Sequence, residues 1–494
     1  MTNIIDISNI INVSITTTPQ GLGVTNVNNI AIFTNEAPSN SDIYRQYISA
    51  AAVAADYGTS SVTAAMANNI FAQSPNIRTG GGQLAIIPLQ ASVSAVAGKT
   101  TTASLTANLT AILAVTSGDL KVTINSVITN LTKLNFTGAT TLANVATIIN
   151  QSLADAVVTA VGSTLVFTSK KVGTASTVTI GAVSGGTGTD LAAAGYFISS
   201  TSTPAAGTNS SGETILAAIT RTSGAVPYTG VITNIGLEDT AISTIAAGIQ
   251  AQDFLFLHHF ASTQDVAGIA LTVKTATQTK TRCLLYTVRL ADANLMKAAY
   301  VGRAFSVNVS GSFTASTMHL KTLANVVPDS GAGIGQTLYN NAMTDGIDSY
   351  LSVSGSPSVI STGGNDFFDN QYMNLALKFA LEVNGFNYLK QTNTKVPQTE
   401  QGMNGLKSAY AVVCNQFVKN GFIAATNAWN SSETFGDPEI FRQNILDAGF
   451  YIYSSPIVEQ LSTDRELRKA PLVQIAIKRA GAIHSSDVLV VINN

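Results

Sequence analysis

The first residues of the chain alternate between apolar and polar positions, with Asn9 as the one break. Apolar side chains recur at odd positions, namely Ile5, Ile7, Ile11, Val13 and Ile15. An alternation of period two predicts a β-strand with one apolar face. This strand ends before Pro19, and a second strand is predicted at Asn29–Thr34.

Helical spacings and short apolar runs alternate along much of the remaining chain. Helical pieces are predicted within Ser41–Phe71, where Tyr44, Tyr47 and Ile48 share one face. Buried strands are predicted at Leu84–Leu89, Phe254–Leu257, Cys283–Tyr286, Ser349–Val353 and Ser358–Thr362. Further helices are predicted at Ile242–Ile249, Val266–Val273, Asp366–Gln391 and Glu400–Lys419. This alternation is typical of a mixed α/β fold in which helices cover a sheet.

The segment between about Ala91 and Ser211 differs in composition, because Ser, Thr, Ala, Val and Gly dominate it and charges are sparse. Strands are predicted within it at Leu120–Ile128, Ser163–Thr168 and Thr177–Ile180, and an amphipathic helix at Thr141–Ala154. Disorder is the alternative for such a composition, but the alternating strands and the helix argue against it. We therefore expect a small β-rich domain inserted into a loop of a larger one.

The C-terminal end carries three short signals. A strand is predicted at Gly449–Tyr453, and Thr463–Glu466 has the pattern of a capping box that opens a helix. Two further strands, Leu472–Lys478 and Val488–Ile492, flank Gly481. Their apolar positions are Val473, Ile475, Ile477, Val488, Val490 and Ile492.

These patterns divide the chain into five segments. We expect an N-terminal arm strand at 1–20, a first core part at 21–90, the inserted domain at 91–211, an α/β core at 212–470 and a C-terminal arm at 471–494.

Composition narrows the class of protein. Charged residues make up only 11% of the chain, against roughly 25% in ordinary soluble proteins. A polar surface with few charges has little self-repulsion, which suits a protein that packs against copies of itself, although secreted β-rich proteins share this bias. The net charge is −2, and no basic run with interleaved aromatic residues suggests a nucleic-acid groove. We also expect no signal peptide and no membrane span.

Two glycine-rich stretches resemble nucleotide loops but lack an essential residue. Gly98-Lys99-Thr100 lacks the glycine that a P-loop requires five positions earlier, where Val93 stands. Gly331–Gly335 has Gln336 where a dinucleotide loop has its third glycine. We therefore expect neither a nucleotide nor any other cofactor.

The remaining reactive side chains have structural explanations. His258, His259, His319 and His484 have no partner at metal-ligand spacing, and Cys283 and Cys414 lie in apolar runs typical of buried thiols. Two carboxylate pairs, Asp366 with Asp369 and Asp437 with Glu439, could serve as acid and base. Both stand where a helix should begin, so capping also explains them.

Both chain ends carry one-faced strands, and periodicity leaves two interpretations equally open. The strands could pair with each other inside one sheet, or they could add to sheets of neighbouring molecules, because an exposed strand edge recruits another chain.

The C-terminal end resembles the tail sheath proteins of contractile-tailed (myovirus-type) bacteriophages. The resemblance rests on Asp464–Pro471, Gln474–Lys478 and Ala480–Ser485, and the N-terminal half supports it with Ala54–Gly58 and Phe71–Pro75. The glycine-rich lead into Leu84–Leu89 and the insertion after it also fit this family.

The resemblance implies a virion structural protein without catalytic activity. It implies a core built from both chain ends, an outward-facing insert, and terminal arms that exchange strands with neighbouring subunits. Its partners would be further copies, in hexameric rings stacked helically around the tail tube protein, together with baseplate and tail-terminator proteins. Such a late protein is made in the host cytoplasm, and its contraction drives the tube through the host envelope for genome ejection. The alternatives are a fibre or adhesin with decoration domains, and an α/β enzyme that uses one of the carboxylate pairs.

Overall fold

A computed structural model describes residues 23, 25–40, 42–90, 96–197, 203–207, 212–260, 268–287, 292–329, 334–364, 366–425 and 429–490. The predicted strand at Ile5–Ile15 lies outside the described residues, and so does Ile492. The described chain is a mixed α/β protein, as its sequence predicts.

Strands and helices are numbered separately in chain order. The strands are β1 Ile30–Thr34, β2 Arg45–Tyr47, β3 Leu84–Pro88, β4 Ala97–Thr101, β5 Gly118–Ile124, β6 Val127–Leu134, β7 Ala156–Val161, β8 Thr164–Val172, β9 Val178–Gly181, β10 Thr189–Asp190, β11 Thr203–Ala205, β12 Gly230–Thr233, β13 Leu255–Phe260, β14 Thr281–Leu285, β15 Ile347–Val353, β16 Ser356–Ile360, β17 Phe450–Ser454 and β18 Val473–Ile477. The helices are α1 Ala50–Tyr57, α2 Val62–Phe71, α3 Leu109–Leu113, α4 Leu142–Asn150, α5 Ile215–Thr222, α6 Asp239–Gln250, α7 Ile269–Thr275, α8 Ala293–Ala304, α9 Gln336–Asp345, α10 Phe368–Gln391, α11 Glu400–Lys419, α12 Pro438–Ala448 and α13 Ser462–Glu466.

The chain forms two compact units. The larger unit contains Asn26–Asn308, Ser316–Tyr372 and the segment that begins at Ile483. The smaller unit contains Val309–Ala315 and Met373–Ala482. No helix among the described residues is long and apolar enough to cross a membrane.

An eight-stranded sheet forms the centre of the larger unit, in the order β16-β15-β14-β13-β12-β1-β3-β2. Its six inner strands run parallel, and β2 and β16 pair antiparallel at the two edges. Strands β1 and β14 are buried at every position, as expected for parallel strands covered on both faces. The sequence segments before and after the insert therefore build one sheet.

Helices pack on both faces of this sheet. Phe33 and Phe256 lie in an apolar cluster with Ile219 of α5 and Ile249 of α6. Helices α2 and α8 pack against one another closely, because a Cβ on Gly302 of α8 would stand 2.5 Å from the Ile70 carbonyl oxygen. This approach requires glycine even though alanine is the better helix former.

We expect Gly302→Ala to lower the free energy of unfolding by about 1–3 kcal/mol, because the added methyl group has no space between α2 and α8. Gly138→Ala is the matched control, since a Cβ at Gly138 has no atom within 4 Å. Chemical denaturation of both variants measures the difference. Stabilisation by Gly302→Ala, as helix propensity alone predicts, would contradict this packing.

The inserted segment forms two four-stranded sheets around one apolar core. One sheet has the order β10-β5-β6 with β9 on β5, and the other has the order β11-β4-β8-β7. Phe136, Phe167 and Phe197 are fully buried in the shared core, together with Ile149 of α4. The β-rich domain with its amphipathic helix is thus confirmed.

Three local predictions were wrong. The single strand predicted at Leu120–Ile128 is a hairpin, because Asn125 and Ser126 adopt φ of 51° and 71° and reverse the chain. The helical face predicted around Tyr47 is strand β2, because pairing with β3 outweighs local periodicity. Thr463 lies inside α13, whose N-cap is Leu461 without a side-chain cap, so the capping box does not form.

Candidate assembly interface

Strands β17 and β18 form a two-stranded antiparallel ribbon in the smaller unit. Its two faces are covered by helices. Ala476 packs with Phe441 and Ile445 of α12, and Val473 packs against a cluster that includes Met403 and Leu406 of α11. A ribbon of two strands is only marginally stable by itself, and further strands stabilise it.

The register of the ribbon determines which backbone groups point outward. Lys478 N donates to Gly449 O at 2.7 Å, one pair beyond the Phe450–Ile477 pair. Because hydrogen-bonded and non-hydrogen-bonded pairs alternate in an antiparallel ladder, Gln474 and Ala476 bond to β17. The N–H and C=O groups of three residues consequently point away from β17, namely Val473, Ile475 and Ile477.

This outer edge of β18 has no backbone partner among the described residues. Beyond the strand, the chain continues beside residues 422–424, where Ala424 N donates to Lys478 O and Ala480 N donates to Phe422 O. These bonds lie on the side of β17, so they leave the outer edge open. The edge is a row of three donor–acceptor residues available to a further strand.

The described part of the predicted strand at Val488–Ile492 does not form a strand. A strand requires a hydrogen-bonded partner strand, and residues 481–490 pair with none. Residues 483–490, the described end of the predicted arm at 471–494, instead expose their apolar side chains; from here on, the C-terminal arm means residues 483–490. The exposed fraction is 92% for Ile483, 79% for Val488, 90% for Leu489 and 72% for Val490. An exposed apolar segment of this kind is a candidate for binding another protein.

His484 contacts the rest of the larger unit. The ring of His484 stacks on that of His319, with centroids 4.3 Å apart and planes at 12°, and Phe367 meets it edge to face at 4.8 Å. Thr317 Oγ1 lies 3.2 Å from His484 Nε2. His319 Nδ1 accepts a hydrogen bond from Ser361 N at 3.2 Å, so this nitrogen is unprotonated.

We expect acid to loosen this attachment. Burial lowers the pKa of both His319 and His484 below the usual 6.5, and the facing ring lowers that of His319 further. The attached state therefore binds fewer protons than the detached state, so the contact has full strength above pH 6.5 and weakens as pH falls below it. NMR titration of the imidazole signals measures this, with His484→Phe as a stacking control that cannot titrate. Midpoints at or above the usual value would contradict the prediction.

The other sequence candidates have structural positions. Lys99 lies in β4, where Gly98 N donates to Ser176 Oγ at 2.7 Å, so this segment is a strand rather than a phosphate loop. Asp366 accepts from Phe367 N at 2.9 Å beside the start of α10, and Asp437 is the N-cap of α12. The capping explanation fits Asp437, and the position of Asp369 in the first turn of α10 fits the helix dipole, whereas the contacts of Asp366 are not those of a cap.

The cysteines and histidines show no reactive arrangement. Cys283 and Cys414 are buried free thiols, and burial raises their pKa to about 12 and about 11. Within the described ranges, no group of three His, Cys, Asp or Glu residues could hold a metal ion.

The sheet changes its winding direction between β1 and β12, the position at which doubly wound proteins commonly hold ligands. Thr34 at the end of β1 contacts Thr63 at the start of α2, with 3.0 Å between their Oγ1 atoms. The first amides of α2 donate to the carboxylate of Glu36, Val62 N at 2.9 Å and Thr63 N at 2.8 Å. Amides of this kind bind phosphate in nucleotide-binding proteins, but here Glu36 accepts their hydrogen bonds.

Sequence reasoning found the strand of the candidate interface but missed two parts of it. The outward groups of Val473, Ile475 and Ile477 depend on register, and the attachment of His484 depends on residues far away in the chain. The exposed Ile483 precedes the predicted positions Val488 and Val490, and the exposed Leu489 lies between them. A run of apolar residues near a chain end was the available signal.

Two parts of the chain match family models. Residues 368–492 match the E217 tail sheath protein gp31-like C-terminal domain, and residues 91–213 match the E217 tail sheath protein gp31 insert domain. The two stretches together cover about half of the chain. No curated protein matches it.

Two solved structures are similar along nearly the whole chain. A cryo-EM structure of the anti-feeding prophage (AFP) baseplate, 6-fold symmetrised, contains a chain with 9% identity, 100% coverage of both chains and a TM-score of 0.45. The AFP baseplate in the contracted state contains one with 11% identity, 99% coverage of both chains and a TM-score of 0.48. Both TM-scores are below 0.5, so the assignment rests on the family models.

The fold is an α/β unit with a β-rich insert, and models of tail sheath domains match the insert and the C-terminal part. Together these findings define a structural subunit of a phage tail. Within this class, residues 368–492 belong to the E217 tail sheath protein gp31-like C-terminal domain family, and residues 91–213 belong to the gp31 insert domain family. The resemblance seen in the sequence is thereby confirmed.

Proposed function

We propose that this protein polymerises into the sheath of a contractile phage tail by strand addition to the outer edge of β18. The observation that carries this proposal is the row of outward backbone groups at Val473, Ile475 and Ile477. A neighbouring copy supplies the added strand from one of its terminal segments. The C-terminal arm exposes its apolar residues, and apolar and polar residues alternate in the sequence of Ile5–Ile15. The predicted residues for inter-subunit pairing thus remain those of the two chain ends.

Strand addition suits a polymer that must change shape. Head-to-tail contacts that do not close upon themselves generate helical arrays, here proposed as hexameric rings stacked around the tail tube. Contraction requires two packings of the same subunit that differ by a few kcal/mol. Main-chain pairing between subunits keeps them connected while the contacts of their cores change.

Further parts of the proposal follow from membership of this family. The partners are the tail tube, the baseplate and the tail terminator, and contraction drives the tube through the host envelope for genome ejection. The protein is made in the host cytoplasm and acts in the virion without catalysis. The proposal includes the domain division predicted from the sequence, in which the insert lies on the outside of the sheath.

Sedimentation velocity of the purified full-length protein over a concentration series tests self-assembly. We expect large particles whose share increases with concentration, and hollow tubes in negative-stain micrographs of the fast-sedimenting fraction. A protein that stays monomeric at the highest attainable concentration would contradict the proposal. Parallel trimers would instead favour a fibre or adhesin.

A further inference from the structure

A polar cavity of about 230 Å³ lies in the larger unit between the inserted domain and the sheet. Its walls come from the end of β8, the loop after β12, the carboxyl end of β13 and the start of α8. Crevices at the carboxyl ends of parallel strands are where α/β proteins commonly bind ligands. The volume is large enough for a tetrahedral anion with several waters, at about 30 Å³ for each water.

Buried polar atoms in the wall of this cavity lack partners. The Nδ1 atoms of His258 and His259 and the Oδ1 atom of Asn294 are buried without a hydrogen bond among the described residues. His258 is only 6% exposed. Unsatisfied buried polar atoms are rare, and each costs roughly 1–3 kcal/mol, so several in one cavity indicate a missing polar ligand.

The amide of Asn294 has a defined orientation. Its Nδ2 donates to Asn234 O at 3.3 Å, which leaves Oδ1 as the atom without a partner. Oδ1 is an acceptor and requires a donor on the ligand. An ion that carries a hydroxyl group, such as hydrogen phosphate, supplies one, whereas sulfate does not.

Two lysines bring positive charge close to this cavity. Lys297, one helical turn after Asn294 on α8, is fully buried, and its ammonium donates to Thr233 O. No described carboxylate forms an ion pair with Lys297, although fully buried lysines are almost always paired. On the opposite wall, Lys171 Nζ lies 3.1 Å from Asp239 Oδ1, so the carboxylate among the described lining residues is already paired.

We propose that this cavity binds inorganic phosphate between the insert and the sheet. The ammonium of Lys297 provides positive charge next to the cavity, the neutral imidazoles of His258 and His259 provide N–H donors, and Asn294 Oδ1 accepts the phosphate hydroxyl. Because residues of the insert form one wall, the bound ion would join the insert to the sheet. This site is independent of the proposed strand addition.

The titratable groups around the ion predict its pH dependence. His258, His259, Lys170, Lys171 and Asp239 line the cavity. Lys297 lies behind this wall, close enough for its charge to lower the pKa of both histidines. Burial lowers the pKa of Lys297 to about 7 and that of His258 to about 3, and it lowers the pKa of His259 as well. Lys297 therefore gains its proton as pH falls from 8 to 6.5, and phosphate binding should strengthen over this range.

Isothermal titration calorimetry of the full-length protein with phosphate and, separately, with sulfate at equal ionic strength tests the proposal. We expect phosphate to bind on the order of tenfold more tightly than sulfate, since one unsatisfied buried acceptor has about that effect. Lys297→Met should abolish binding, and Asn294→Ala should remove the preference for phosphate. Lys99→Gln, an exposed lysine of the insert, is the matched control and should bind like the unaltered protein.

Several results would overturn the proposal. These are the absence of phosphate binding, equal affinity for phosphate and sulfate, and equal loss of binding in Lys297→Met and Lys99→Gln. If Lys297→Met does not fold, His259→Asn decides in its place, because it removes one imidazole from the cavity wall. Unchanged phosphate affinity in His259→Asn would then count against the site.

Discussion

A proline at position 475 should abolish polymerisation while the monomer stays folded. The N–H group of Ile475 points to the open edge of β18, so Ile475→Pro removes no hydrogen bond to β17. Proline is tolerated on an edge strand when its missing N–H would face solvent. An incoming strand, however, loses a ladder hydrogen bond and meets the pyrrolidine ring, and this loss recurs at every subunit contact of a polymer.

A second proline provides the matched control for this variant. Gln474 bonds to β17, so Gln474→Pro removes a hydrogen bond of the ribbon itself. It should destabilise the smaller unit by about 1–3 kcal/mol, because the acceptor on β17 is left without its donor. Ile475→Val should assemble normally, because it preserves the backbone and most of the apolar side chain. Sedimentation and circular dichroism of the three variants separate assembly from folding. Normal polymers from Ile475→Pro would show that the outer edge of β18 is not the contact.

Removal of the end of the C-terminal arm is the second change with a large expected effect. A chain that stops after Ser486 loses Val488, Leu489 and Val490, which are exposed and make no strand within their own chain. It keeps the bridge between Ile423 and Arg479 and the stacked ring of His484. We expect this chain to fold with unchanged thermal stability and to lose polymerisation, because its neighbours lose apolar contact area and backbone partners.

The control for the truncation retains the length of the arm. Substitution of Val488, Leu489 and Val490 by threonine keeps the backbone and the propensity for strands but removes apolar surface, and it should weaken assembly without abolishing it. Size-exclusion chromatography with light scattering compares the three proteins. If the truncated chain polymerises as readily as the full chain, the C-terminal arm does not take part in assembly.

The sequence predicted those elements whose pattern is local. Strands β1 and β3 are short buried runs, and α11 was predicted with its observed bounds, Glu400–Lys419, because its apolar residues recur at helical spacing. Strand β2 was missed because its three residues, Arg45–Tyr47, have no strand pattern and depend on pairing with β3. Tertiary pairing of this kind lies beyond any local window.

At the candidate interface, local pattern again predicted the strand but not the contacts that depend on the rest of the fold. Alternation at Val473, Ile475 and Ile477 was sufficient to predict strand β18, but which backbone groups point outward follows from the register with β17. Val488–Val490 have strand-like residues without a strand, since no described residue pairs with them. Lys297 gave no signal in sequence, because lysines on helices are usually exposed.

Hydrogen exchange of the β18 amides tests the central claim most directly. In the monomer, the amides of Gln474 and Ala476 should exchange slowly because they bond to β17, while those of Val473, Ile475 and Ile477 should exchange fast. In the polymer, all five should exchange slowly, because a strand from a neighbouring copy pairs with the outer edge. Outward amides that exchange equally fast in monomer and polymer would contradict strand addition at β18.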